Sequence, residues 1–306
     1  MTAFLVSEVG PRDGLQSIDR VMSLDAKKAW IAAEAAAGVR EIEVGSFVPP
    51  TLLPQMADTA ELVAFARTIP GLNVVALVPN AKGAARAAEA GVHAMSLPFS
   101  MSETHSLKNV RKSHAEMLDE IAAVAEIAEA AGIHFAVGLS TAFGCTMEGA
   151  VPETRVVRLA EAALKAGAKE LSLSDTTGYA DPAQVKRLVR AVTAAVGAGR
   201  LTTVHLHNTR GLGLANALAG IEEGITTLDA SLGGLGGCPY APGASGNIVT
   251  EDLVFMLNSM GLETGIDLEK LVAVRAILAE ALPGEPLYGF VPDAGATLDY
   301  AQRLAR

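Results

Sequence analysis

The feature that most constrains this chain is an alternation carried through most of its length. Apolar runs of strand length give way to Ala-rich helical stretches, again and again. Strands are expected near residues 3–9, 41–44, 73–78, 93–98, 134–139, 169–173, 202–206 and 226–230. Helices are expected near 24–37, 55–68, 81–90, 113–131, 153–166, 181–196 and 212–223. The junctions repeat as well: Ala37-Gly38-Val39, Ala90-Gly91-Val92, Ala131-Gly132-Ile133 and Ala166-Gly167-Ala168 each read as a helix stop followed by a strand. Ser23 is placed to cap the first helix, and Pro152 and Pro182 sit near first turns, where a missing N–H costs little.

Eight such units fit a closed (β/α)8 TIM barrel better than an open sheet. An open doubly wound fold is the alternative, but Gly10-Pro11-Arg12-Asp13-Gly14 after the first strand is no G-x-G-x-x-G phosphate loop. Residues 1–306 are read as a single catalytic barrel domain. From about 248 a tail adds helices near 248–260 and 267–281, expected to close the barrel. With 50% hydrophobic and 19% charged residues, a packed core is expected. The net charge of −10 argues against nucleic acid as a partner. No signal peptide or span of eighteen apolar residues is visible, so no membrane association is expected. Cys145 and Cys238 make no disulfide framework, and a reduced, cytoplasmic setting is expected.

In such a barrel, chemistry gathers at the C-terminal ends of the strands. Arg12, Asp13 and Gln16 follow strand 1. Glu43 lies within strand 2, turned inward as a carboxylate in need of a partner or outward into solvent. Ser174-Asp175-Thr176-Thr177-Gly178 follows strand 6, where Asp175 could simply shape an Asx turn. Strand 7 ends in His205-Leu206-His207, which puts two imidazoles on one face. After strand 8 comes Gly233-Gly234-Leu235-Gly236-Gly237-Cys238, read as a lid carrying a thiol to the barrel mouth. Asn247 precedes Ile248-Val249-Thr250-Glu251 and is also placed to cap the next helix, with Glu251 completing a capping box. Asp13, His205, His207 and Asn247 together offer a mixed nitrogen and oxygen set that suits Mg²⁺ or Mn²⁺. His93, His105, His114 and His134 read as surface or core residues.

Val9-Gly10-Pro11-Arg12-Asp13-Gly14-Leu15-Gln16 resembles the opening motif of the hydroxymethylglutaryl-CoA lyase family. The run from Gly234 to Asn247 resembles that family's glycine-rich active-site loop, and Ile42-Glu43, Ser46-Phe47-Val48, Pro54-Gln55-Met56 and Ser174-Asp175-Thr176 also match. The resemblance spans nearly the whole chain. It implies a divalent metal, Mg²⁺ or Mn²⁺, held by Asp13, His205, His207 and Asn247. It implies Arg12 as a stabiliser of the developing enolate, Cys238 as a proton donor or acceptor, Glu43 and Asp175 as acidic catalytic positions, and Gln16 and Ser46 beside the substrate. The implied reaction splits 3-hydroxy-3-methylglutaryl-CoA into acetyl-CoA and acetoacetate, and a homodimer is expected. The chain departs from the family pattern at Val44-Gly45 and at Asn208 and Arg210, which puts acyl specificity in question. (R)-Citramalyl-CoA, giving acetyl-CoA and pyruvate, is an alternative, as is a Claisen-type synthase. A metal-binding barrel without activity and a redox role for Cys145 and Cys238 are further readings. Lys108, Arg111 and Arg210 are candidates for phosphate contacts on the acyl-CoA thioester.

Overall fold

The computed structural model describes residues 4–236 and 246–300. Eight parallel strands close on themselves in sequence order: β1 (Leu5–Glu8), β2 (Glu41–Ser46), β3 (Asn73–Leu77), β4 (Ala94–Ser100), β5 (His134–Ser140), β6 (Glu170–Asp175), β7 (Leu201–Leu206) and β8 (Thr227–Ala230). The ring shuts where β1 pairs with β8, in the register Leu5 to Thr227 through Glu8 to Ala230. The outer helices are α1 (Leu24–Ala37), α2 (Thr59–Ala66), α3 (Ala81–Ala90), α4 (Glu103–Asn109), α5 (His114–Ala131), α6 (Glu153–Lys165), α7 (Pro182–Val196) and α8 (Gly213–Glu222). Then come α9 (Thr250–Ser259), α10 (Leu268–Ala281) and the short α11 (Val291–Ala294). The closed barrel is the architecture that the alternation predicts.

The local signals act as expected at most boundaries. Ser23 Oγ accepts from the Ala26 N–H at the start of α1, and Gly38 closes that helix. Ser113 and Glu116 form a full capping box on α5. Short elements escape the periodicity, α11 among them. Helix α4 is seven residues long, too short to show a stripe, and is held by Ser102 accepting from His105 N–H. Residues Gly10–Gly14 form one π-helical turn rather than an open loop. Helix α2 is also shorter than expected, because Pro54–Met56 makes a separate 3-10 turn ahead of it.

One continuous apolar core lies between the strands and the helix ring, and it includes Leu253, Val254 and Leu257 of α9 with Leu271, Val274 and Leu278 of α10. Burying such side chains contributes about 1.5–3 kcal/mol each. Lys27 of α1 is fully buried among them; its Nζ donates to Gln55 O at 2.5 Å and to Asp58 Oδ1 at 2.6 Å, which ties α1 to the segment before α2. Among the described residues, no helix is long and apolar enough to cross a membrane.

Candidate active site

The barrel interior is polar. Ser7, Glu43, Ser96, Ser172, His205 and Asp229 are among the residues that line a cavity of about 1160 Å³ along its axis. At one end of it, seven of the expected residues meet: Arg12, Asp13, Gln16, Glu43, His205, His207 and Asn247.

The π turn after β1 presents Arg12 and Asp13 side by side. Glycine at position 10 is required for this turn. A Cβ there would stand 2.5 Å from Glu8 Oε1 and 2.8 Å from both Ser231 Oγ and a ring carbon of Trp30. Arg12 pairs with Asp13 and donates from Nε to Glu43 Oε2 at 2.5 Å. Glu43 therefore faces inward, and the solvent-facing alternative is overturned. Its other oxygen accepts from Ser96 Oγ at 2.5 Å. Burial pushes the Glu43 carboxyl up, against the pull of Arg12 and Ser96. Gln16 Nε2 reaches Asp13 Oδ1 at 3.4 Å and lines the cavity.

Strand β7 delivers both histidines to the same face, with Leu206 buried on the other. The Nε2 atoms of His205 and His207 stand 3.2 Å apart, and Asp13 Oδ2 lies 3.9 and 3.8 Å from them. Residues Gly246–Ile248 run alongside the end of β7: Asn208 N donates to Gly246 O, Ile248 N donates to Leu206 O, and Asn247 bridges to His207. Asn247 Nδ2 then donates to Asp13 Oδ2 at 2.8 Å. The helix-capping alternative fails, because Val249 is the residue at the start of α9 and gives no side-chain cap. Glu251 is buried instead and accepts from Gly233 N and from Arg275 Nη1.

These residues fit a divalent cation. Asp13, His205 and His207 each offer a ligand atom within 4.8 Å of the others. Asn247 Oδ1 is buried and has no protein partner. Two imidazole nitrogens facing each other across 3.2 Å, beside a carboxylate and an orphaned amide oxygen, form a donor set that lacks a common acceptor of electron pairs. Burial works to raise the Asp13 carboxyl, but Arg12 and the two histidines hold it well below the usual range. Burial and the neighbouring His205 push His207 down to about 4. Burial also works to lower His205, but its hydrogen bond to Asp229 and the charge of Asp13 raise it.

Asp229, on β8, was not among the expected residues. Its Oδ2 lies 3.1 Å from His205 Nδ1 and orients that ring. The signal was present in Leu228-Asp229-Ala230, an inward position one strand over from the histidines, and the parallel pairing of His205 with Asp229 makes it explicit.

Other expected residues stand further back. Asp175, the last residue of β6, is buried and accepts from Tyr179 N at 2.8 Å and Ala180 N at 3.1 Å of the following loop; its neighbours Ser174 and Thr176 line the cavity. Burial raises Asp175 to about 6 despite those two donors. Ser46 is buried, its Oγ accepting from Val48 N. Gly45, one of the departures, lets Thr59 pack against β2: a Cβ would meet Thr59 Oγ1 at 2.4 Å. Arg210 is spent on the fold, donating to Thr177 O and Gly178 O and stacking 4.7 Å over the Tyr179 ring. Asn208 Oδ1 accepts from Gly213 N at the start of α8. Neither departure after the histidines reaches the cavity lining, whereas Lys108 and Arg111 do. Cys238 lies outside the described residues.

Residues 3–278 match the HMGL-like family model. The chain is 42% identical over 282 residues to the hydroxymethylglutaryl-CoA lyase YngG of Bacillus subtilis, covering 92% of this chain and 94% of that one. It is 41% identical over 305 residues to the (R)-citramalyl-CoA lyase of Chloroflexus aurantiacus, covering 96% of each. The solved structure of an HMG-CoA lyase from Acinetobacter baumannii, in complex with coenzyme A and 3-methylmalate, superposes with a TM-score of 0.91 at 41% identity, covering 97% of both chains. With a matching barrel, matching motifs and relatives aligned end to end, the chain belongs to the HMGL-like family of lyases.

Proposed function

We propose that this protein cleaves 3-hydroxy-3-methylglutaryl-CoA to acetyl-CoA and acetoacetate, with Mg²⁺ or Mn²⁺ at the Asp13, His205, His207 and Asn247 centre. The observation that carries the reading is the convergence of that donor set with Arg12 and Glu43 at the mouth of a polar barrel. Relatives named for this activity, at about the same identity as the citramalyl-CoA lyase, support the reaction class and leave two acyl groups in play.

Breaking the bond between C2 and C3 requires the C3 hydroxyl to lose its proton and the thioester oxygen to gain charge. A cation held by Asp13, His205, His207 and Asn247 would supply Lewis acidity, which lowers the pKa of a hydroxyl. Arg12 supplies the second requirement. Its guanidinium is fixed between Asp13 and Glu43, so a donor aimed at the developing enolate oxygen needs no reorganisation at the moment of reaction. Glu43, raised by burial and held by Ser96, is a carboxylate within this group that can take up a proton. Cys238 is the group assigned to return a proton to the enolate carbon. Lys108 and Arg111, at the cavity rim, are assigned to the phosphates of the acyl-CoA.

The test is a product assay on hydroxymethylglutaryl-CoA and citramalyl-CoA side by side, with Mg²⁺ or Mn²⁺ added. Acetoacetate from the first in clear excess supports the proposal. Pyruvate from the second in excess moves the assignment to citramalyl-CoA, and neither product removes the lyase reading.

A further inference from the structure

Behind the π turn lies a second cluster of ionisable groups that the chemistry above does not use. Glu8, at the end of β1, is completely buried. Its Oε1 accepts from Gly10 N at 2.8 Å and from Leu232 N at 3.0 Å, and its Oε2 accepts from Thr250 Oγ1 at 2.7 Å. Those three donors belong to three separate segments. Gly10 opens the turn that carries Arg12 and Asp13. Leu232 begins the glycine-rich segment after β8. Thr250 begins α9, three residues after Asn247. One carboxylate thus holds both sides of the Asp13–Asn247 contact, across more than two hundred residues of chain.

The surroundings of Glu8 are short of positive charge. The charged groups that act on the cluster are Glu34 from α1, Glu251 from α9 and Arg275 from α10. Arg275 Nη1 goes to Glu251 Oε1 at 2.6 Å and also to Tyr288 O. That leaves Glu8 and Glu34 without a cation between them. Both oxygens of Glu34 are buried with no hydrogen-bond partner at ordinary distance, as are the Trp30 Nε1 and Ser231 Oγ beside the pair. Two adjacent carboxylates cannot both stay ionised in such a place. Glu8, with three donors pointed at it, is the better home for the charge. Glu34, approached only by the Trp30 indole and by Glu8 itself, is the better home for the proton. Burial raises both carboxyls, Glu8 to about 7 against the pull of its three donors, and Glu34, by burial and then the charge of Glu8, well above the usual carboxylate range, which agrees with that assignment.

We propose that Glu8 is a positioning residue for the Asp13, His205, His207 and Asn247 centre, and that a protonated Glu34 beside it keeps its carboxylate in place. The proposal rests on the reading of that centre as a metal site. Mn²⁺ binding to the metal-free protein, followed by the electron paramagnetic resonance of free Mn²⁺, tests it with wild type, Glu8→Gln and Glu34→Gln, each at pH 6.5 and 8.5 and each melted without metal. Glu8→Gln is expected to lose about tenfold or more in Mn²⁺ affinity, the range for partners that orient metal ligands. Its loss of turnover should fall on kcat, with KM for the thioester little changed. Glu34→Gln keeps a hydrogen donor but cannot lose a proton. A carboxyl raised in the fold gives its full stabilisation below its unfolded pKa and loses it as pH climbs toward the folded value. The melting temperature of Glu34→Gln minus that of wild type should therefore grow from pH 6.5 to 8.5, and the alkaline loss of Mn²⁺ affinity in wild type should lessen in the variant.

A wild type that does not bind Mn²⁺ would remove the metal reading and this proposal with it. Mn²⁺ bound equally well by wild type and Glu8→Gln would overturn the positioning role alone. A melting difference that stays constant with pH would overturn the shared proton. Should Glu8→Gln not fold, Thr250→Val removes one of the three bonds and is expected to weaken Mn²⁺ binding about threefold, the worth of one hydrogen bond. Unchanged binding in that variant overturns the role as well.

Discussion

His205 is held from behind by Asp229, and that single contact decides how the ring presents Nε2 to the centre. Asp229→Asn is expected to cost about 10–100-fold in metal affinity, because the amide can no longer fix the imidazole in one tautomer as an anion does. Equilibrium dialysis with Mn²⁺ measures it directly. His207→Ala removes a ligand outright and should abolish metal-dependent turnover, while an enzyme indifferent to both the substitution and chelator would sink the metal assignment. Cys238→Ser should lower kcat about 10²–10⁴-fold, the usual contribution of a general acid, with little effect on substrate binding. At this scale the sequence was most legible where a residue type is rare inside a strand, as with Glu43 and the paired histidines. It was least legible where a common residue acts through its neighbour, as Asp229 does. Asp175 and Arg210 show the opposite case. Both stand out in the sequence, and both side chains also bond the backbone of the β6–α7 loop.

Among the elements, the short α4 and the loop after β5 are joined by one carboxylate. Glu148 Oε1 accepts from Ser102 Oγ at 2.8 Å and Thr104 N at 2.9 Å, and its Oε2 accepts from Arg155 at 2.7 Å. Its slight burial works upward, but the Thr104 amide, Arg155 and Ser102 hold it down to about 2. A depressed carboxylate stabilises the fold above its unfolded pKa, and that contribution is lost as pH falls through the folded value. Amide exchange in residues 103–109 is therefore expected to speed up as pH drops from about 4.5 toward 2, relative to the intrinsic rate, and Glu148→Gln should remove that dependence. The π turn makes a second element-level test. Gly10→Ala forces a methyl against Glu8, Ser231 and Trp30 and should destabilise the protein by about 1–3 kcal/mol in urea denaturation. Its activity should fall further than that loss of stability alone explains, because the turn carries Arg12 and Asp13. Periodicity located every strand and nearly every helix, because each is a buried face repeated over several turns or pleats. It passed over the π turn and α4, which are too short to repeat a buried face.

For the whole molecule, the fold was readable because a closed barrel repeats one local rule, and only its closure is non-local. The centre was readable in part for the same reason, since a barrel sends the end of every strand to one mouth. The clamp beneath it was not, because no local pattern says that Glu8 and Glu34 face each other through a helix and a strand. The distance in sequence between Asp13 and Asn247 has a further consequence. Their side chains touch, and β1 can pair with β8 only after residue 227 has been made. A chain growing on the ribosome therefore carries Arg12 and Asp13 exposed to the cell through most of its synthesis, with the donors that complete the centre still unmade. Contacts of such long sequence separation slow folding. Enzyme activity should thus appear abruptly and late, and stalled chains ending before Asn247 should remain silent even where most of the barrel has already been translated.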